Sequence, residues 1–236
     1  MSVTARFHER VALVTLDDGK ANAFGPANLQ ALEAALDEVE ASDAGAVVFA
    51  GRAGFFSGGL DLKALPAMTP EARTATFDHF SRLMLRAWTL DRPTVAAVTG
   101  HALGGGAIFA LAADVRLGVD ASAKIGLIEV AVGLPVPGFA IEMARGALAG
   151  PTLVQGVIHG RAWTMPEARE AGWLEGLHSA DTLVDAACAR ASLLATIARA
   201  PYATTKAHLH AAERARANQR RAEDVASFIA AFDARR

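Results

Sequence analysis

The stretch Pro93–Leu117, PTVAAVTGHALGGGAIFALAADVRL, constrains this chain more than any other, because an apolar strand, a glycine-rich hinge and an apolar helix follow one another. Thr94 to Val98 is β-branched and apolar, as a buried strand is, and Gly100 to Gly106 reads as a loop that glycine makes passable. From Ala107 to Ala113 every side chain is apolar, so the helix has no face suited to water and is expected to be buried all round. A helix N-terminus carries unpaired N–H groups and a partial positive charge, yet no Ser, Thr, Asp or Asn stands immediately before this one as a cap. Gly104, Gly105 and Gly106 either permit close helix packing or let an anion or a polarised carbonyl oxygen approach those N–H groups. The familiar nucleotide motifs do not fit: no Lys-Ser or Lys-Thr follows the glycines, and the spacing is not G-x-G-x-x-G.

A second glycine tract follows a second apolar strand. Ala46 to Ala50 reads as that strand, and Phe55-Phe56 then leads into Ser57-Gly58-Gly59. A fold that brought the two tracts together would offer two backbone donors to one oxygen. Lys124 to Val130 reads as a further strand, with Glu129 set among Ile125, Leu127, Ile128 and Val130. A carboxylate there is either an edge or surface residue or a buried group with a chemical task.

The remaining elements are of ordinary kinds. Val11 to Leu16 is a strand ended by Asp17-Asp18-Gly19, and Pro26 opens a helix whose Leu29, Leu32, Leu36 and Val39 share one face. Thr69-Pro70-Glu71 starts a helix with Phe77, Phe80, Met84 and Ala87 on its apolar side. Val115 to Val119 is a strand, Phe139 begins a helix after a Gly/Pro-rich loop, and Thr164-Met165-Pro166-Glu167 forms a capping box. From Asp181 onward the chain reads as mostly helical, with a break expected near Pro201.

Composition excludes several function classes. The formal net charge of -2 leaves no basic footprint for nucleic acid, and the basic run Arg214 to Arg221 reads as a solvated helix face. No stretch looks like a secretory leader or a membrane span, and Cys188, the one cysteine, cannot form an intrachain bridge, so a cytoplasmic protein is expected. The seven histidines show no metal-ligand spacing, and no metal is expected. An apolar content of 52%, much of it alanine, hints at surface buried between subunits.

Three separated segments, FFSGGLDL at 55–62, GHALGGGAIFALAADVRLG at 100–118 and AKIGLIEVAVGLP at 123–135, together resemble the crotonase (enoyl-CoA hydratase/isomerase) superfamily. The likeness runs in order along nearly the whole chain and includes Asp61 after the first glycines and Asp114-x-Arg116 after the apolar helix. It implies an α/β fold, a spiral of ββα units over residues 1–180 with a helical segment at 181–236 serving assembly as a homotrimer or dimer of trimers. It implies acyl-CoA thioester substrates and no separate cofactor. By position, the resemblance gives the thioester oxygen to the N–H groups of Gly58 and Gly105. It lays Lys20, Ala21 and Ala23 along the CoA portion, puts Gly59, Asp61, Ile108 and Leu134 against the substrate, and sets Lys206 where C-terminal helices of the family often carry a lysine.

One departure decides the chemistry expected. Hydratases of this family carry a glutamate three residues beyond the oxyanion glycine and a second one later, and the pair holds and activates water. Here the first position is Ile108 and the second is Glu129, a single-glutamate pattern similar to that of the Δ3-Δ2-enoyl-CoA isomerases. Moving a double bond needs one base and an oxyanion hole, whereas adding water needs an oriented nucleophile that isoleucine cannot hold. Asp61 and Glu142 are the carboxylates that could replace the missing one; hydration or another crotonase reaction through such a second acid, or acyl-CoA binding without catalysis, are the alternatives. His101 reads as a loop histidine satisfied by backbone, and Phe77, Phe80, Trp88 and Phe139 are candidate pocket walls.

Overall fold

The computed structural model describes residues 2–235. The hairpin of β1 (Val3–His8) and β2 (Val11–Leu16) is followed by α1 (Pro26–Ala41), whose Leu29, Leu32, Leu36 and Val39 are fully buried, as their spacing predicts. The spiral then repeats. β3 (Ala46–Ala50) and β4 (Gly54–Ser57) precede α2 (Pro70–Trp88). Next, β5 (Thr94–Val98) and β6 (Gly100–Leu103) precede α3 (Gly105–Leu111). β7 (Val115–Val119) and β8 (Lys124–Gly126) lead on to α4 (Gly138–Ala147). Both hairpin strands lie in a six-stranded sheet of order β1-β2-β3-β5-β7-β10; in each of the three later turns the first strand joins that sheet and the second enters a four-stranded sheet of order β4-β6-β8-β9. After α5 (Gly150–Val157), β9 (Trp163–Thr164) closes the small sheet, and after α6 (Met165–Glu170), β10 (Gly176–His178) closes the large one. The β2/β3, β3/β5, β5/β7 and β7/β10 pairs are parallel, and β3, β5 and β7 are buried throughout. This accounts for their unbroken apolar runs, since a parallel strand is covered on both faces.

The C-terminal region is helical. α7 (Leu183–Leu194) lies on the large sheet and buries Leu183, Ala187 and Ala191, so this helix completes the covering of the spiral. α8 (Arg199–Leu209) carries Pro201 within its first turn, where a missing N–H costs nothing; the proline helps start a helix after the expected break. α9 (Ala211–Ala234) packs on α2 and α4 with Val225, Phe228, Ile229 and Phe232 buried. Lys206 is paired with Asp114 at 2.8 Å, and the Asp114 carboxylate also accepts from Tyr202 Oη at 2.7 Å and from Thr94, tying α8 to the end of the sheet.

Two local expectations change. Gly100 to Leu103 is a strand pairing with β4 and β8, so the hinge is confined to Gly104. The strand expected over Lys124–Val130 ends at Gly126, and Glu129 stands at the head of a 3-10 turn over Val130–Val132. Its apolar neighbours suit a strand, but the pairing stops because β6 ends at Leu103, opposite Gly126, and β9 covers only Lys124 and Ile125.

Candidate active site

Helix α3 is buried along its whole length, with Ala107 to Leu111 at 0 to 1% exposure, and it starts without a side-chain cap. Its N-cap, Gly104, has φ +52°, a conformation that suits glycine. The Gly105 N–H, at the first position of the helix, has no acceptor among the described residues. The tract after β4 lies directly against it. A Cβ built on Gly105 would fall 3.1 Å from Leu60 N and 3.0 Å from the tip of the Phe80 ring, so only glycine leaves this gap open. Gly59 serves the same closeness from the other side: φ is +88°, and a Cβ there would fall 2.8 Å from Gly105 N.

The donors in this gap are Leu60 and Gly105. Gly58, expected from the resemblance to supply the first donor, spends its N–H on the Ala21 carbonyl at 2.8 Å. The Leu60 N–H has no acceptor among the described residues. The correction has a tertiary cause, since the acceptor that occupies Gly58 comes from a loop far away in sequence. That loop is held by Asn22, 2% exposed with φ +51°, whose Nδ2 donates to Leu16 O (2.8 Å), Phe55 O (3.1 Å) and Phe56 O (3.3 Å). In return Ser57 Oγ donates to Asn22 O at 2.7 Å and accepts from Gly59 N at 3.1 Å. Asn22 thus positions both segments that meet the ligand space.

An apolar pocket of about 510 Å³, partly open to solvent, lies beside the two free donors. Ile108, Ile128, Leu134, Phe77, Phe80 and Phe228 are among its walls. Among the described residues, Glu129 is the one ionisable group in its lining. The side chain is 6% exposed, and Oε2 is buried without a hydrogen-bond partner among the described residues. Burial pushes this carboxyl up to about 7, because loss of solvent disfavours its charged form. Oε1 faces Gly104, 3.4 Å from the place a Cβ would take there. The turn is fixed through its backbone, with Glu129 O accepting from Val132 N at 3.1 Å and Leu134 N at 2.9 Å.

The carboxylates considered as substitutes lie elsewhere. Glu142 is paired with Arg216 at 2.8 Å and does not line the pocket. Asp61 Oδ1 accepts from Lys63 N and Ala64 N, and the residue lines an outer groove. Lys20, Ala21, Ala23 and Lys63 line that groove too, and it shares Gly58, Leu60 and Leu62 with the apolar pocket, so the two spaces meet beside the free donors. Gly59 lies beneath the surface and lines neither. Of the candidate aromatic walls, Phe77 and Phe80 line the pocket, whereas Phe139 packs behind Phe80 and Trp88 sits by His210 away from it. His101 Nδ1 lies 3.2 Å from Lys124 N, a backbone partner as expected. Lys206 is occupied by Asp114.

Residues 6–236 match the Enoyl-CoA hydratase/isomerase family. The chain belongs to that family. It is 32% identical over 225 residues to a probable enoyl-CoA hydratase of Mycobacterium avium, covering 92% of this chain and 87% of the relative. A probable enoyl-CoA hydratase of Bacillus subtilis is 35% identical over 133 residues, 55% of this chain, and the match spans half (50%) of that relative's length. The fold superposes on an enoyl-CoA isomerase of Mycobacterium tuberculosis with a TM-score of 0.90 at 29% identity, covering 96% of this chain and 99% of the other. No described helix is long and apolar enough to cross a membrane.

Proposed function

We propose that this protein moves a double bond in an enoyl-CoA from the Δ3 to the Δ2 position, with Glu129 as the only acid–base group. The observation that carries this reading is a pocket with one unpaired buried carboxyl and isoleucine at position 108, where a water-activating glutamate would have to stand. The CoA portion lies in the outer groove along Lys20, Ala21 and Ala23, the thioester sits where groove and pocket meet, and the acyl chain enters among Ile108, Phe80 and Leu134. The Leu60 and Gly105 N–H groups receive the thioester oxygen. Glu129 removes a proton from C2, the electrons pass into the carbonyl to give a dienolate whose oxygen those donors stabilise, and the same proton returns to C4. An uncharged, apolar wall strengthens these interactions and keeps water from C3. A carboxyl with a raised pKa suits a group that must take and then release a proton near neutrality.

No cofactor takes part in this scheme, CoA being carried by the substrate itself. A cytoplasmic homotrimer or dimer of trimers is the accompanying proposal for location and assembly. Hydration is the competing reading, favoured by the names of the M. avium and B. subtilis relatives. Incubation with 3-enoyl-CoA and with 2-enoyl-CoA of equal chain length, following isomer and 3-hydroxyacyl product separately, tests it. Isomerisation is expected to run much faster than hydration; hydration at or above the isomerase rate overturns the proposal.

A further inference from the structure

The apolar pocket is bounded by a contact that joins distant regions of the chain. Phe80 points its ring tip at Gly105, beside the free donors, and Phe77 lies one helical turn before it on α2. Phe77 stacks on Phe228 of α9, with ring centroids 4.0 Å apart and planes within 10°. Phe77 and Phe228 are 1% and 4% exposed and both line the pocket, so the stack is a filled, buried part of its wall.

The stack is also clamped. On one side of it Arg73 of α2 pairs with Asp233 of α9 at 3.0 Å, and on the other Asp78 of α2 pairs with Arg221 of α9. Across the same helix, Asp224 accepts from Phe139 N at 3.0 Å and Arg216 pairs with Glu142. α9 is therefore fastened to both α2 and α4 around Phe228, and the ring cannot leave by a rotamer change alone without losing its stacked partner and its burial.

From this we infer that the Phe77–Phe228 stack is the stop that sets the longest acyl chain the site accepts, and that the enzyme selects acyl-CoA thioesters whose chains end before it. The inference rests on the acyl-CoA reading of the pocket. A chain that fits gains apolar contact with every carbon, whereas one that reaches the stack must force apart a packed pair of rings and the helices that hold them.

The test measures binding, so it does not depend on which reaction the site performs. Calorimetric titration with saturated acyl-CoA thioesters from butyryl to dodecanoyl is expected to show affinity rising about fourfold per methylene and then breaking off at one chain length. In Phe228→Ala the break moves to longer chains, and the ratio of decanoyl to butyryl affinity rises by about tenfold or more. Phe77→Leu and Phe228→Leu, which keep most of the packing, shift the break the same way by less and serve if the alanine variant does not fold. Phe228→Trp is expected to move it to shorter chains. A break that stays in place in every folded variant overturns the stop while leaving the acyl-CoA reading intact; no binding of any acyl-CoA by the wild type overturns both.

Discussion

Gly58 donates its N–H to the carbonyl of Ala21 at 2.8 Å, and this bond decides which backbone groups are left to hold an oxygen. With that donor spent, the free pair is Leu60 and Gly105, brought together because neither Gly59 nor Gly105 carries a Cβ. In a complex with a non-reactive acyl-CoA analogue, the thioester oxygen is expected about 2.7 to 3.1 Å from both nitrogens and farther from Gly58 N. Gly105→Ala is expected to lower kcat/KM by about 10²-fold or more, since the methyl group would lie in the donors' gap. An analogue oxygen bonded to Gly58 N would refute the reassignment.

Glu129→Gln tests the base. Glutamine keeps the shape and removes the proton acceptor, so acyl-CoA binding should persist while isomerisation falls by about 10²- to 10⁴-fold. A variant within threefold of wild type would remove Glu129 from the chemistry.

The same residue sets the pH dependence. A base must be ionised in the free enzyme, so kcat/KM is expected to rise with pH through an apparent pKa near 7. Stability moves the other way. The folded-state pKa lies above the unfolded value of 4.5, so the native state binds the proton more tightly, and this stabilisation is complete below pH 4.5 and lost as pH rises through about 7. At pH 8 the buried charge costs about 3 kcal/mol, and Glu129→Gln should raise Tm at pH 8 relative to wild type by more than it does at pH 5. Equal Tm differences at the two pH values would contradict the burial argument.

Ile108→Glu asks whether a second carboxylate is all that separates this site from water addition. The ratio of hydration to isomerisation is expected to rise, though by a limited factor, because Ile108 is 1% exposed and a carboxylate introduced there is itself held protonated by burial. Product analysis by chromatography measures the ratio; a fall in it would argue against the missing-carboxylate account.

Asn22→Ala removes three donated hydrogen bonds that tie the 20–23 loop to β2 and β4 and leaves their carbonyls buried. We expect a loss of stability of about 2 to 4 kcal/mol in chemical denaturation, together with a weaker hold on CoA esters because Ala21 and Ala23 line the groove. A stability change below about 0.5 kcal/mol would mean that the loop is held by other contacts.

The strands Ala46–Ala50, Thr94–Val98 and Val115–Val119 and the helix after Gly104 are legible in the order of residues alone, because complete burial in a parallel sheet or core writes an uninterrupted apolar run into the chain. Gly105 and Glu129 stand out in the same way, since a glycine tract without a cap and a lone acid among aliphatic residues are local anomalies, whereas Ile108 stands out only against the family's pattern. The partner of each group is not written there. The two sheets of the spiral, the bond from Gly58 to Ala21, the end of the strand before Glu129 and the placement of Phe228 against Phe77 all depend on segments distant along the chain. A free donor or a raised pKa is defined by what fails to reach it, and folding in three dimensions determines which neighbours do.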